Sequence, residues 1–240
     1  MDPRLFREGT RVILYDADRI PHPGDIPFDH RASADPEPVV GGGRGTVWRV
    51  RVNDLLAALR HYRRGGMVRR LIRSAYLWTG LERTRAFLEW RLLAELHAEG
   101  MPVPAPLAAR VVRTAFWYRA ELLTEWLPGT RSLVSLLADS EPDARTWRRV
   151  GATLRRFHLA GIWHADLNAH NILIDQDGAV YLVDFDRGRR RRRDGRWARK
   201  NLGRLRRSLE KVHATGRALY YTPAGWRALL DGYAGYEASS

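Results

Sequence analysis

The chain has 240 residues, 45% of them hydrophobic and 28% charged, a balance that fits a folded soluble protein of one ordinary domain or two small lobes. Cysteine is absent, which excludes disulfides, thiolate metal sites and cysteine nucleophiles. The net charge of +14 is carried almost wholly by arginine, with Lys200 and Lys211 as the only lysines, and it calls for an anionic partner.

The first residues, Met1 to Glu8, hold acids and no apolar run, so no secretory leader is expected. Asp18 to Pro38 contains five prolines and reads as an irregular loop. A glycine cluster, Gly41 to Gly45, leads into Thr46 to Val52, whose alternation predicts a strand. A second strand is expected around Leu59 to Tyr62, before Gly65 and Gly66 break the chain. Thr84 to Glu99 predicts a helix closed by Gly100 and Pro102. On that helix Glu89 shares a face with Leu92, Leu93 and Leu96. A carboxylate on a buried stripe requires a cationic partner, because an unpaired buried charge is strongly unfavourable.

The longest uncharged stretch, Gly100 to Ala109, holds ten residues and three prolines. A membrane-spanning helix needs about twenty apolar residues. Pro142 to His158 gives the clearest helical period, with Trp147, Val150, Gly151, Leu154, Phe157 and His158 on one face. Ser140 is its expected N-cap and Gly161 its expected C′ residue. Two short strands follow, Ile172 to Ile174 and Val180 to Val183, joined by the hairpin signal Asp175-Gln-Asp-Gly178. From Trp197 onward the chain reads as helical, and no internal repeat is visible.

The charge is clustered. Arg187 to Arg207 holds twelve basic residues and one acid, and Arg60 to Arg73 holds six arginines and no acid. Such clusters suit an anionic lipid surface, a phosphorylated substrate or nucleic acid. No nucleic-acid-binding signature accompanies them, so no nucleic acid is expected. The run of five, Arg189 to Arg193, predicts an extended, solvated segment because like charges repel.

The chemistry lies between the strong helix and the hairpin, in His164-Ala-Asp166-Leu-Asn-Ala-His-Asn171, and just after the hairpin, in Asp184-Phe185-Asp186. A hairpin sets the start of its first strand beside the end of its second, so Asn171 and Asp184 become neighbours. Two oxygen ligands there suit a hard cation such as Mg2+. Asp166 is then placed to accept a proton from a substrate hydroxyl. His158 continues an apolar stripe and His164 orients the loop, so these histidines, with His170, read as structural.

This arrangement resembles the catalytic core of the protein-kinase fold, in which a loop Asp serves as base and an Asn five residues on, with the Asp of the following Asp-Phe-Gly, binds metal. The resemblance implies an α+β, protein-kinase-like, two-lobed fold: a strand-rich N-lobe over residues 1–126 and a mostly helical C-lobe over 127–240, with ATP in the cleft between them. It also implies that Gly43 and Gly45 cover the nucleotide phosphates. Glu89 would then pair with a phosphate-binding lysine, which this chain lacks. Arg60 is the best substitute by position, with Arg51 and Arg64 as alternatives.

Longer strings carry the resemblance further. Arg60 to Gly66, Thr84 to Glu89, His164 to Asn171, Asp184 to Gly188 and Asn201 to Ser208 together resemble the Kdo (3-deoxy-D-manno-octulosonic acid) kinases of the lipopolysaccharide core kinase group. That family implies phosphorylation of the 4-hydroxyl of a Kdo residue on a lipid A precursor, using ATP and Mg2+, by a peripheral enzyme at the cytoplasmic side of the bacterial inner membrane. Asp166 would be its base, with Asn171 and Asp184 its metal ligands. Asn168 stands where protein kinases usually have a lysine, and Asp186 replaces their glycine, which favours a sugar acceptor over a protein. The alternatives are a heptose, aminoglycoside or choline kinase of the same fold, or a catalytically silent basic scaffold.

Overall fold

A computed structural model describes residues 1–33, 36–39, 47–62, 75–192, 195–214 and 220–236. The glycine cluster with Gly43 and Gly45, and also Arg64, Gly65 and Gly66, lie outside the described residues. By its contacts the chain divides into two units, one of Met1–Glu99 with Pro104–Trp126 and one of Gly100–Val103 with Leu127–Ser240.

The first unit is built on strands β1 (Pro3–Glu8), β2 (Arg11–Asp16), β3 (Glu37–Val39), β4 (Val47–Val52), β5 (Leu55–His61), β6 (Tyr76–Leu77), β7 (Pro106–Thr114) and β8 (Trp117–Glu125). They form one antiparallel sheet in the order β1-β2-β7-β8-β5-β4-β3, with β6 also pairing with β8. Helix α1 (Arg85–Ala98) buries Phe87, Trp90, Leu93 and Leu96, and Glu89 with them. Strand β5 alternates: Ala57 and Leu59 enter a core shared with Val50, Leu107 and Leu123, while Arg60 points to the opposite face.

The proline-rich stretch is less irregular than its composition suggests. It seats Ile20, Ile26 and Phe28 in that same core, turns through short 3-10 segments at Pro23–Asp25 and His30–Ala32, and ends by pairing Glu37 with Arg49. Three apolar anchors spaced along the stretch offset the ordering cost that its prolines had already lowered.

The second unit contains β9 (Arg131–Ser132), α2 (Leu133–Asp139), α3 (Ala144–Leu159), β10 (Ile162–Trp163), β11 (Ile172–Ile174), β12 (Val180–Leu182), β13 (Arg189–Arg190), α4 (Gly195–Ala214) and α5 (Pro223–Ala234). The whole stripe expected on α3, from Trp147 to His158, is buried. Its N-cap is not Ser140. Asp143 takes that place and accepts from the Thr146 amide at 2.7 Å, while Ser140 ends α2. Asp143 lies three residues ahead of the amide it caps, which is the spacing the motif needs. The arginine run also departs from expectation: Arg189 and Arg190 pair with β10, and the Arg191 amide donates to Gly161 at 2.7 Å.

Helices α3 and α5 approach through small residues. A Cβ added at Gly151 would lie 1.9 Å from the Leu229 carbonyl oxygen, and one at Gly232 would lie 2.1 Å from that of Arg148. Alanine is the better helix former by roughly 1 kcal/mol, so propensity and packing oppose each other at Gly151. Packing wins here, because both clashing atoms belong to backbone. Gly151→Ala is expected to lower the unfolding free energy by about 1–3 kcal/mol in denaturant titration; a stabilised variant would contradict the close approach.

Candidate active site

The hairpin forms with Ile172 opposite Leu182, and the Val183 amide donates to the Asn171 carbonyl at 3.1 Å. Asn171 and Asp184 therefore meet at the open end of one strand pair. The Asn171 amide group donates to the Asp166 carbonyl at 3.0 Å, tying the start of the strand to the loop. Asp184 has φ of +63°, and Arg187 has φ of +59°. Aspartate tolerates this left-handed region better than most residues, and the conformation ends the strand abruptly. Phe185, fully buried, sets its ring 5.7 Å from Phe157 of α3 and 4.8 Å from His164, pinning the turn.

His164 holds loop and turn together. Its Nδ1 accepts from the Asp166 amide at 3.2 Å, and its Nε2 donates to the Val183 carbonyl at 3.0 Å. These two bonds require the neutral ring with its proton on Nε2. Behind it Asn201 of α4, also buried, donates from its amide group to the His164 carbonyl at 2.7 Å. The Asn201 Oδ1 lies 3.3 Å from His158 Nε2, and His158 Nδ1 lies 2.8 Å from the Tyr233 hydroxyl. Burial, only partly opposed by the Asn201 bond, pushes the His158 pKa down to about 4. His158 is thus neutral near pH 7 and links α3, α4 and α5 behind the loop.

Asp166 faces outward, with its side chain 60% exposed. Arg204 of α4 donates to its Oδ1 at 2.8 Å, and Asn168 donates to its Oδ2 at 3.3 Å. Both carboxylate oxygens are thereby oriented while the group stays open to a substrate hydroxyl. The ion pair is exposed on both sides, so it adds little stability and acts mainly on direction.

In the first unit Arg60 pairs with Glu89, and Tyr62 completes the cluster: its hydroxyl donates to Glu89 Oε2 at 2.5 Å and accepts from Arg60 at 3.1 Å. Burial works against the Arg60 charge, yet Glu89 and Tyr62 outweigh it and raise its pKa, while burial and Glu89 push the Tyr62 phenol well above its usual 10.0. The Glu89 side chain is 2% exposed and that of Arg60 is 18%, so the arginine is the member able to reach a ligand. Arg51 is exposed and has no such tie to Glu89.

Asp166, Asn171 and Asp184 thus come together in one unit, and Arg60 with Glu89 in the other. The donor set fits magnesium, which is usually held by one or two carboxylates and completed by water and phosphate oxygens. Asn171 and Asp184 supply an amide oxygen and a carboxylate, and Asp186 adds a second carboxylate two residues on. No cluster of three or more acidic or histidine ligands occurs among the described residues, so the protein alone offers no closed cage. Sequence reasoning missed Asn201, Tyr62 and Arg204. Asn201 carried a visible signal, since it interrupts the buried stripe Trp197, Ala198, Leu202, Leu205 and Leu209 as Glu89 interrupts that of α1.

Two consequences are measurable. Glu89→Ala strands a largely buried guanidinium and is expected to cost about 3–5 kcal/mol in denaturant titration, with Glu89→Gln, which keeps a partner for Tyr62, costing less. His158 has a folded pKa near 4 against an ordinary 6.5. Its contribution is therefore complete above pH 6.5 and is lost as pH falls toward 4, because the unfolded chain alone takes up the proton. That loss amounts to roughly 3 kcal/mol. His158→Gln should flatten the stability profile across that window; an unchanged slope would remove the histidine from the account.

The model of the lipopolysaccharide kinase (Kdo/WaaP) family matches residues 32–233. A 3-deoxy-D-manno-octulosonic acid kinase from Vibrio parahaemolyticus is 40% identical over 86% of this chain and 87% of its own. Enzymes of that name from Xylella fastidiosa strain 9a5c and Vibrio vulnificus strain YJ016 are 48% and 37% identical, over 86% and 94% of this chain and 84% and 95% of theirs. With matches of that extent, the chain belongs to the lipopolysaccharide kinase (Kdo/WaaP) family.

Proposed function

We propose that this protein transfers the γ-phosphoryl group of ATP to the 4-hydroxyl of a Kdo residue on a lipid A precursor. The observation that carries the reading is Asp166, exposed and oriented on a loop whose Asn171 meets Asp184 across paired strands, in a chain of this family. Asp166 takes the proton of the acceptor hydroxyl as its oxygen bonds to the γ-phosphorus and the bond to the ADP oxygen breaks. Arg204 and Asn168 hold the carboxylate in the direction of the acceptor. Asn171 and Asp184 would hold Mg2+, which when bound neutralises charge on the phosphate oxygens. Arg60, braced by Glu89 and Tyr62, serves in place of the phosphate-binding lysine, and its fork of donors suits paired phosphate oxygens.

The exposed side of α4 carries Arg196, Arg199, Lys200, Arg206, Arg207 and Lys211. No described helix is long and apolar enough to cross a membrane. This basic face supports peripheral contact with the anionic inner-membrane surface on its cytoplasmic side, where each cation contributes about 1 kcal/mol.

The deciding experiment is ATP turnover with Mg2+ against Kdo-lipid A precursor, heptosylated core and an aminoglycoside. Transfer to the Kdo lipid alone is expected, with Asp166→Ala lowering kcat by about 10²- to 10⁴-fold. Transfer to another acceptor would reject the substrate, and an active Asp166→Ala would reject the mechanism.

A further inference from the structure

Trp163 precedes the catalytic loop, and β13 follows the Asp184 turn. In the register of β10 with β13, Trp163 stands opposite Arg189, and Arg191 lies two residues further on the same face. Both guanidinium carbons sit over the indole, at 5.1 Å for Arg189 and 4.4 Å for Arg191. On the other face Ile162 is buried, so the strand pair turns this basic, aromatic ledge outward.

Other arginines also sit over rings, Arg113 over Trp78 at 4.8 Å among them, and several close on carboxylates. Arg204 donates to Asp166, Arg206 to Glu210, Arg131 to Asp139 and Arg60 to Glu89. Arg189 and Arg191 instead rest on a ring, and among the described residues neither meets a carboxylate. Stacking on an aromatic face uses the cation's charge and flat surface but leaves the N–H edges directed outward. Two planar forks fixed in this way form a receptor for an oxyanion, a carboxylate or a phosphate, which is bound bidentately.

We infer that Trp163, Arg189 and Arg191 form the subsite that takes an anionic group of the acceptor glycolipid and so sets its hydroxyl against Asp166. Chain length fixes the scale. Trp163 lies three positions before Asp166, a span of at most about 11 Å, and Arg189 five positions after Asp184, at most about 18 Å. A sugar acid joined to a phosphorylated lipid carries both candidate anions, the sugar carboxylate and the lipid phosphate, within that range of a ring hydroxyl. The inference rests on the proposed acceptor and adds to it the residues that recognise it.

The test compares the wild-type protein with Arg189→Gln/Arg191→Gln, by equilibrium binding of Kdo-lipid A without nucleotide and by steady-state turnover. The double variant is expected to raise the acceptor Kd and KM at least tenfold, with the KM for ATP and kcat within about twofold. Binding to phosphatidylglycerol vesicles lacking Kdo lipid should stay unchanged. Trp163→Leu, which removes the platform and leaves both charges, should give a smaller rise of the same kind. Two modified acceptors name the anion: one with the Kdo carboxylate esterified, the other with the lipid A phosphates removed. The relevant modification weakens binding to the wild type and has no further effect on the variant. An unchanged acceptor Kd, an acceptor series in which no modification behaves so, or a parallel loss of vesicle binding would overturn the subsite. If the wild type binds acceptor without phosphorylating it, the proposed activity falls and the binding data alone judge the ledge. If it does not bind the acceptor, both fall.

Discussion

The two hydrogen bonds of the His164 ring, one accepted from the Asp166 amide and one donated to the Val183 carbonyl, connect segments that the chain order keeps apart. The loop that carries Asp166 and the turn that carries Asp184 have no direct covalent reason to keep a fixed spacing. A neutral imidazole with one donor and one acceptor joins them at defined angles, and a protonated ring, with two donors, would oppose the Asp166 amide. Asn201 anchors the backbone of His164, and Phe185 closes the gap on the other side. Asp166 and Asp184 in the second unit are therefore positioned by buried neutral polar contacts.

The first unit solves the opposite problem. There a charge is buried deliberately, and Glu89 is tolerated on the apolar side of α1 because Arg60 and Tyr62 supply its donors. A lysine would offer one compact ammonium, whereas arginine can grip the carboxylate and keep further donors of the same plane for phosphate. Tyr62 holds the fork in direction, with the Arg60 guanidinium carbon 4.8 Å from its ring centre.

Much of this was legible from residue order alone. The α1 and α3 stripes, the strands of the hairpin and the meeting of Asn171 with Asp184 follow from periods and turn chemistry, which are local. The Glu89 partner was legible as a requirement and, by position, as Arg60. What escaped depends on pairing over long distance. Asp143 displaced Ser140 as a cap because the actual helix start is fixed by one side-chain bond. Arg189 and Arg190 joined a strand by pairing with Trp163 and Ile162, and the Trp163 indole gave Arg189 a surface. Ile20, Ile26 and Phe28 sat in a segment whose prolines masked its apolar anchors.

The arginine excess then separates into kinds that composition could not distinguish. Some guanidiniums close on carboxylates of their own chain and are spent on orientation, as Arg204 is on Asp166. Others line the outer side of α4, where a diffuse anionic surface would be felt through many weak contacts. A third kind is stacked and meets no carboxylate among the described residues, as Arg189 and Arg191 are on Trp163. Diffuse attraction falls with salt and tolerates the loss of any one residue, whereas a bidentate contact depends on both geometry and identity. An enzyme that must find one sugar hydroxyl within a charged lipid layer needs both kinds. On the proposed function, the surface charge would draw the protein to such a layer without choosing among its anions, and the stacked pair near Asp166 would make that choice.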